Sequence, residues 1–156
     1  MSGFIGLGCN PTQREDSLAD LGGVALGSMG YSDDGGMFIA VQADGAIAEG
    51  DLVQIENGFQ IDQATTSSPL GSIIAVATAA FANNEYGWVQ VYGNCQVQVH
   101  SGSNHAASNR VSIGDDGEIS SSSSDSDAVA GVLTSASSGS DGRLTDCFLF
   151  FPKKVG

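Results

Sequence analysis

The stretch DLVQIENGFQID, residues 51–62, decides how this chain is read. A two-residue loop of Asn57 and Gly58 would set Ile55 opposite Gln60 and Val53 opposite Asp62, so that each face mixes apolar and polar side chains. Sheet registers are specified by keeping one face apolar, and this register does not. A three-residue loop of Glu56, Asn57 and Gly58, with Gly58 in the left-handed region, instead pairs Ile55 with Phe59 and Val53 with Ile61. Gln54 and Gln60 are then left on the outer face. The expected element is a bulged hairpin.

The same grammar returns in RVSIGDDGEIS, residues 110–120, where a loop of Asp115, Asp116 and Gly117 pairs Ile113 with Ile119 and leaves Gly114 and Glu118 on the other face. Each hairpin is followed by a polar stretch and an apolar strand containing Gly: TTSSPLGSIIAVATAA after the first, SSSSDSDAVAGVLTSAS after the second. The chain therefore carries a weak internal duplication, too short for a solenoid. In both turns Gly58 and Gly117 are the residues expected to matter, because a β-branched side chain is strained at positive φ.

The chain has 156 residues, fits one domain and has the length to bury a real core. Cys9, Cys95 and Cys147 are odd in number and far apart in sequence, which argues for free thiols made in a reducing compartment rather than a disulfide framework or a CxxC knuckle. The first residues, MSGFIGLGCNPTQRED, have no basic start, and the longest apolar run, IIAVATAAFA, is too short to cross a bilayer. A soluble, non-secreted protein is expected, with no membrane partner. The net charge of −13 would repel phosphate backbones, and Arg14, Arg110, Arg143, Lys153 and Lys154 form no extended patch, so no nucleic acid partner is expected. The Lys153-Lys154 pair reads as solubilising.

Residues 1–35 are Gly-rich and irregular. Asn10 and Pro11 are placed to start a short helix ending at Gly22, with only Leu18 and Leu21 as apolar contacts. From Met37 onward the pattern is strands: MFIAVQ, DLVQI, GFQID, GSIIAVATA, YGWVQVYG and CQVQVH, then AVAGVLTSA and TDCFLFF. In CQVQVH, Cys95, Val97 and Val99 point one way and Gln96, Gln98 and His100 the other. The run from Ser120 to Asp127 reads as a surface loop. The expected fold is all-β, a compact β-barrel or sandwich of short antiparallel strands (36–156) with an extended N-terminal arm (1–35). The strands carry no Lys before residue 153, so their edges must be covered by barrel closure or by neighbouring subunits.

Sites are scarce. Cys95, His100 and His105 make a poor metal set, because His100 faces away from Cys95 and His105 lies in the loop SGSNHAASN. Asp33-Asp34 and Asp115-Asp116 sit beside Gly in turns, where Asp is favoured for backbone reasons. No G-x-S-x-G elbow, P-loop or H-E-x-x-H is present, so neither an enzyme nor a bound cofactor is expected. Trp88 and Tyr92 alternate with Gln90 on one strand and offer an aromatic platform for a carbohydrate or other ligand, although aromatic residues on strands are usually core or interface.

The order AIAEGDLVQIENGFQID, LGSIIAVATA, EYGWVQVYG, RVSIGDDGEIS, AVAGVLTSA and a closing hydrophobic strand resembles the head decoration, or cement, proteins of tailed bacteriophages over about residues 37–151. The resemblance rests on an A-x-x-x-G-D-x-V approach to a hairpin and a W-V-x-V-x-G strand. It implies a small β-barrel that binds the outside of an assembled capsid, often as a homotrimer, with the major capsid protein as partner and the virion surface as location after synthesis in the host cytoplasm. It further implies an extended terminal segment that grips the shell. Phe4, Ile5, Leu7, Leu18, Leu21, Val24 and Leu26 are the residues such an arm would use against the capsid or a neighbouring subunit, and deleting residues 1–30 is then expected to leave the barrel folded.

Overall fold

The structure is a computed structural model and describes residues 7–100, 111–120, 127–134 and 144–155. Among these residues there is no α-helix. Twelve strands form one continuous sheet: β1 Leu7–Gly8, β2 Arg14–Glu15, β3 Met29–Tyr31, β4 Met37–Ala43, β5 Leu52–Ile55, β6 Gln60–Gln63, β7 Ile73–Val76, β8 Tyr86–Gln98, β9 Val111–Ile113, β10 Ile119–Ser120, β11 Ala128–Thr134 and β12 Leu144–Lys154. The all-β expectation is met, but two strands are long. YGWVQVYG and CQVQVH, read as two strands, run together as β8 across Gly93. Gln90 is buried there and donates from Nε2 to the carbonyls of Tyr92 and Asn94 at 3.0 and 2.9 Å, satisfying the backbone on either side of Gly93.

The sheet closes twice. Pairings β4–β6, β6–β5, β5–β7, β7–β8 and β8–β4 complete one circuit. Pairings β8–β12, β12–β11, β11–β9 and β9–β10 complete another, closed by a parallel bridge from Val99 to Ile119. Each circuit has its own core. Val41, Val53, Ile61, Ala75, Val89 and Val91 fill the first, and Val97, Val99, Val111, Ile113, Ile119 and Leu149 the second. β5 and β7 lie between them: Leu52, Ile74 and Val76 point into the second core, Val53 and Ala75 into the first. A strand buried on both faces has no polar side, which is why the β7 sequence reads as an unbroken apolar run. Closure also leaves most edges paired, so strands without lysine are protected by the fold itself.

The duplication is present in the architecture. In each half a strand pairs in parallel with the second arm of the following hairpin, Ala43 with Ile61 and Val99 with Ile119. The next residue donates to the same carbonyl, Asp44 N to Ile61 O at 2.8 Å and His100 N to Ile119 O at 2.9 Å. The second hairpin has the expected register, Ile113 with Ile119, closed by Gly114 N to Glu118 O at 2.7 Å. The first hairpin differs. Its loop is Asn57, Gly58 and Phe59, so Ile55 pairs with Ile61 and Val53 with Gln63, not with Phe59 and Ile61. Parity fixes which residues share a face, but two registers that differ by a whole period satisfy it equally. Here contacts outside the hairpin select one: the Phe59 ring lies on Gly27, and the Gln63 amide reaches Asp51 Oδ2 at 2.7 Å. Both loops place positive φ at their second and third positions, Gly58 and Phe59 in one, Asp116 and Gly117 in the other.

The halves meet at Asp51. This buried carboxylate accepts from Ala48 N at 2.9 Å and from Gln63 Nε2, and the same amide also donates to the Asp116 carbonyl at 3.2 Å. Gly117 N donates to Ala64 O at 3.0 Å, so the second hairpin's loop is seated on the first hairpin's base.

The described residues before position 35, expected as part of an extended arm, contribute strands to the sheet. β1 and β3 extend the sheet from β4, β2 pairs with β8, and Leu21 is buried with Phe38, Ala40 and Trp88. The expected helix after Pro11 does not form. Arg14 is drawn instead onto the Phe81 ring, 3.8 Å from its centroid, and donates to the Ala79 carbonyl at 2.9 Å, which holds residues 14–15 extended against β8. Burial lowers the Arg14 pKa to about 10. At the other end Lys154 is no surface lysine: it is buried and its Nζ donates to the Thr66 carbonyl, while Lys153 is exposed.

Gly58 and Gly117 separate backbone cost from crowding. A Cβ on Gly58 meets nothing, whereas one on Gly117 would lie 2.9 Å from the Leu52 carbonyl oxygen and 3.0 Å from Asp51 Cβ. Urea titration should show Gly58→Ala costing about 1 kcal/mol, the left-handed penalty alone, and Gly117→Ala roughly 2 to 4 kcal/mol once crowding is added. Equal losses would contradict the seating of the second loop. Asp51 supplies a pH signature. Burial raises its pKa, offset in part by the Gln63 and Ala48 hydrogen bonds. A folded-state pKa above the unfolded one gives a contribution fully present below the unfolded value and lost as pH rises through the folded value. The stability difference between the natural protein and Asp51→Asn should therefore move in favour of the natural protein as pH falls from about 7 to about 4. A pH-independent difference would remove burial as the dominant influence.

Candidate interaction surface

β12 alternates regularly at first: Thr145, Cys147 and Leu149 face the second core, and Phe148 and Phe150 face outward. The alternation then breaks. Between the pairs Val132 with Leu149 and Ala130 with Lys153, β11 contributes only Gly131 while β12 contributes Phe150, Phe151 and Pro152. Such a bulge re-aims side chains. It depends on Gly131, where a Cβ would lie 2.5 Å from the Phe150 carbonyl oxygen, and on Phe151 at φ 46, a conformation rare for a bulky residue. The outcome is two consecutive phenyl rings on the surface, Phe150 at 62% exposure and Phe151 at 48%.

Tyr92 of β8, the register partner of Phe150, completes an aromatic cluster. Its ring centroid lies 5.3 Å from Phe148, 5.8 Å from Phe150 and 5.8 Å from Phe151, and the last two are 5.9 Å apart. These separations are those of favourable tilted and edge-to-face pairs, so the rings hold one another in place. Leu133, at 61% exposure, stands opposite Phe148 and widens the face. None of these side chains is charged, in a chain of net charge −13. A contiguous exposed apolar face of this kind marks a contact surface.

Where they are described, the residues expected to form an interface are not part of this face. Phe4 and Ile5 fall outside the described residues, and Leu7 contributes its backbone to β1. Leu21 and Val24 pack with Trp88 and Phe38 inside the molecule, and Leu18 and Leu26 are half-buried. The ligand platform of Trp88 and Tyr92 is not available as such, because Trp88 is 3% exposed under the segment that carries Leu21, Val24 and Cys9. Of the metal candidates, Cys95 packs against the second core, His100 sits at the end of β8 against Gly114, and His105 is outside the described residues. Among the described residues no three of His, Cys, Asp and Glu converge to hold a metal. The Ser/Asp run at 121–126 is also outside them. Sequence reading passed over Phe150 and Phe151 as a closing hydrophobic strand. The signal was available in the break of alternation at Phe150-Phe151-Pro152.

Fold and surface together define an all-β protein of two fused barrel circuits with one aromatic external face. No protein-family model matches the sequence, and no curated protein is similar to it. Among solved structures, the fold is similar to that of the head fiber gp8.5 N base of bacteriophage phi29, with a TM-score of 0.54 and 17% identity, over 76% of this chain and 98% of that one.

The placement of Trp88 gives a direct test of the N-terminal segment. Trp88→Ala should cost about 3 to 5 kcal/mol in urea titration, as for other buried aromatics. Removing residues 1–30 should uncover the indole, red-shift its emission and lower the unfolding midpoint, in contrast to the intact barrel expected of a detached arm. An unchanged emission maximum after truncation would return this segment to the role of a free arm.

Proposed function

We propose that this chain is a structural protein of a bacteriophage head that binds the outer surface of the assembled capsid and stabilises it, acting as a homotrimer with the major capsid protein as its partner. The observation that carries this reading is the likeness in fold to a phage head fiber base that covers nearly all of that structure. The order of strand motifs resembling head decoration proteins points the same way. The aromatic face supplies what such attachment requires. Burying two phenyl side chains contributes about 1.5 to 3 kcal/mol each before ordering costs, and rings already fixed against Tyr92 lose little freedom on docking. The contact is therefore assigned to Phe148, Phe150, Phe151 and Leu133, rather than to Leu21 and Val24, which are occupied internally.

The test uses the full chain and expanded empty capsids in a co-sedimentation assay at physiological salt, with light scattering on the free protein. Saturable binding and a trimeric mass are expected. Phe150→Ser with Phe151→Ser should keep the circular dichroism of the natural protein and weaken capsid binding by about tenfold or more, the loss of one or more well-buried rings. Failure of the natural protein to bind capsids would overturn the assignment. Glycan-dependent quenching of its aromatic fluorescence would favour a carbohydrate-binding module in its place.

A further inference from the structure

Cys95 of β8 and Cys147 of β12 are far apart in sequence but direct register partners in the antiparallel ladder, with Sγ atoms 3.2 Å apart. Both are free thiols. Opposite residues in such a ladder have Cα separations of about 4.5 or 5.5 Å, and both values fall within the roughly 4.4 to 6.8 Å that disulfides span. The two side chains turn to the same face, Cys147 in the second core and Cys95 packed against it. Joining them requires the sulfurs to approach by roughly 1 Å, with no change of register. Access is unequal. Cys147 is buried, whereas Cys95 is half-buried in a surface cleft bordered by Asn94, Gln96 and Asp146.

We propose that Cys95 and Cys147 form an oxidation site, at which a small-molecule disulfide reacts to close an intramolecular disulfide across the β8–β12 seam. Cys95, the accessible thiol, loses its proton and attacks one sulfur of the small disulfide. A mixed disulfide forms at Cys95, and one small thiolate leaves and is protonated. The Cys147 thiolate, 3.2 Å away, then attacks the Cys95 sulfur and expels the second small thiol. The two protein thiols give up two electrons and two protons, and the small disulfide is reduced to two thiols. Hydrogen bonding to the Cys147 thiol, and then burial, hold the Cys95 thiol far above its ordinary pKa, so the reaction is slow at neutral pH and quickens in alkali. The adjacent Asp146 and the acidic chain favour a cationic disulfide over an anionic one. A chain that folds in a reducing compartment thus carries a link ready to close once it is exposed to oxidant.

The natural full-length protein is incubated with cystamine or with glutathione disulfide at about pH 8.5, where ordinary thiols begin to ionise, then digested with trypsin without reduction. Arg14, Arg110 and Arg143 place the three cysteines on separate peptides. The expected product is the Cys95 peptide linked to the Cys147 peptide with the loss of two hydrogens. It should form at least about tenfold faster with cystamine, with a gap that narrows as salt screens the charge. The linked protein should melt roughly 10 °C higher, reversed by dithiothreitol. Cys147→Ser should stop at a stable mixed disulfide on Cys95. Links that involve Cys9, adducts on both Cys95 and Cys147 without a link, or three unreacted thiols would each overturn the proposal, and none needs a variant to be seen.

Discussion

The structure depends on one constraint: β5 at Leu52–Val53 and β7 at Ile74–Val76 are buried on both faces. Leu52 and Val53 are adjacent in sequence and point into different cores, as do Ile74 and Ala75. The first circuit therefore walls the second core through Leu52, Ile74 and Val76 while keeping its own core behind Val53 and Ala75. β8 reinforces this by running along the first circuit at Trp88–Val91 and along the second at Cys95–Val99. Two small circuits with modest cores become one cooperative unit by sharing strands, and a chain of this size gains burial that either half alone would lack.

The polar groups follow from the same sharing. Where two hairpins of like design meet back to base, backbone groups at the junction lose water and need partners. Asp51 and Gln63 supply them, joining the Ala48 turn, the first hairpin and the Asp116 carbonyl in one network. The acid of the G-D approach to the first hairpin is thus structural. Strain has a different location. Phe59 and Phe151 both take positive φ, the first covering Gly27 within the fold, the second pointing outward from the β12 bulge. At Phe151 the strained backbone sets the ring against Tyr92 and Phe150 within the exposed aromatic cluster, the surface assigned to the contact.

Much of the fold was legible in the residues. Apolar stretches bounded by Gly, Asn, Asp and Ser located strands β4 to β7 and β11, and Asp115-Asp116-Gly117 predicted the second hairpin to the residue. The first hairpin came out displaced because the sequence aligns Gly58 with Gly117, whereas the folded loops align Phe59 with Gly117. Leu21 and Val24 looked like part of an unpartnered apolar series because their partners, Phe38 and Trp88, sit on later strands. The sequence holds no mark of that pairing.

What the sequence determined by itself is local: strand identity, the turn chemistry of Gly58 and Gly117, the acidic character, and the face on which each β8 residue lies. These follow from backbone sterics and side-chain alternation, which act between near neighbours. What only the tertiary structure decided is which faces meet. Closure of the sheet into two circuits sealed edges that carry no lysine, buried Lys154 and Trp88, and brought Cys95 against Cys147. It also left Phe150 and Phe151 outside, because one glycine on β11 stands opposite three residues of β12. Those outcomes depend on long-range register, and register is selected by the sum of contacts across the assembled sheet, a quantity no local stretch of chain contains.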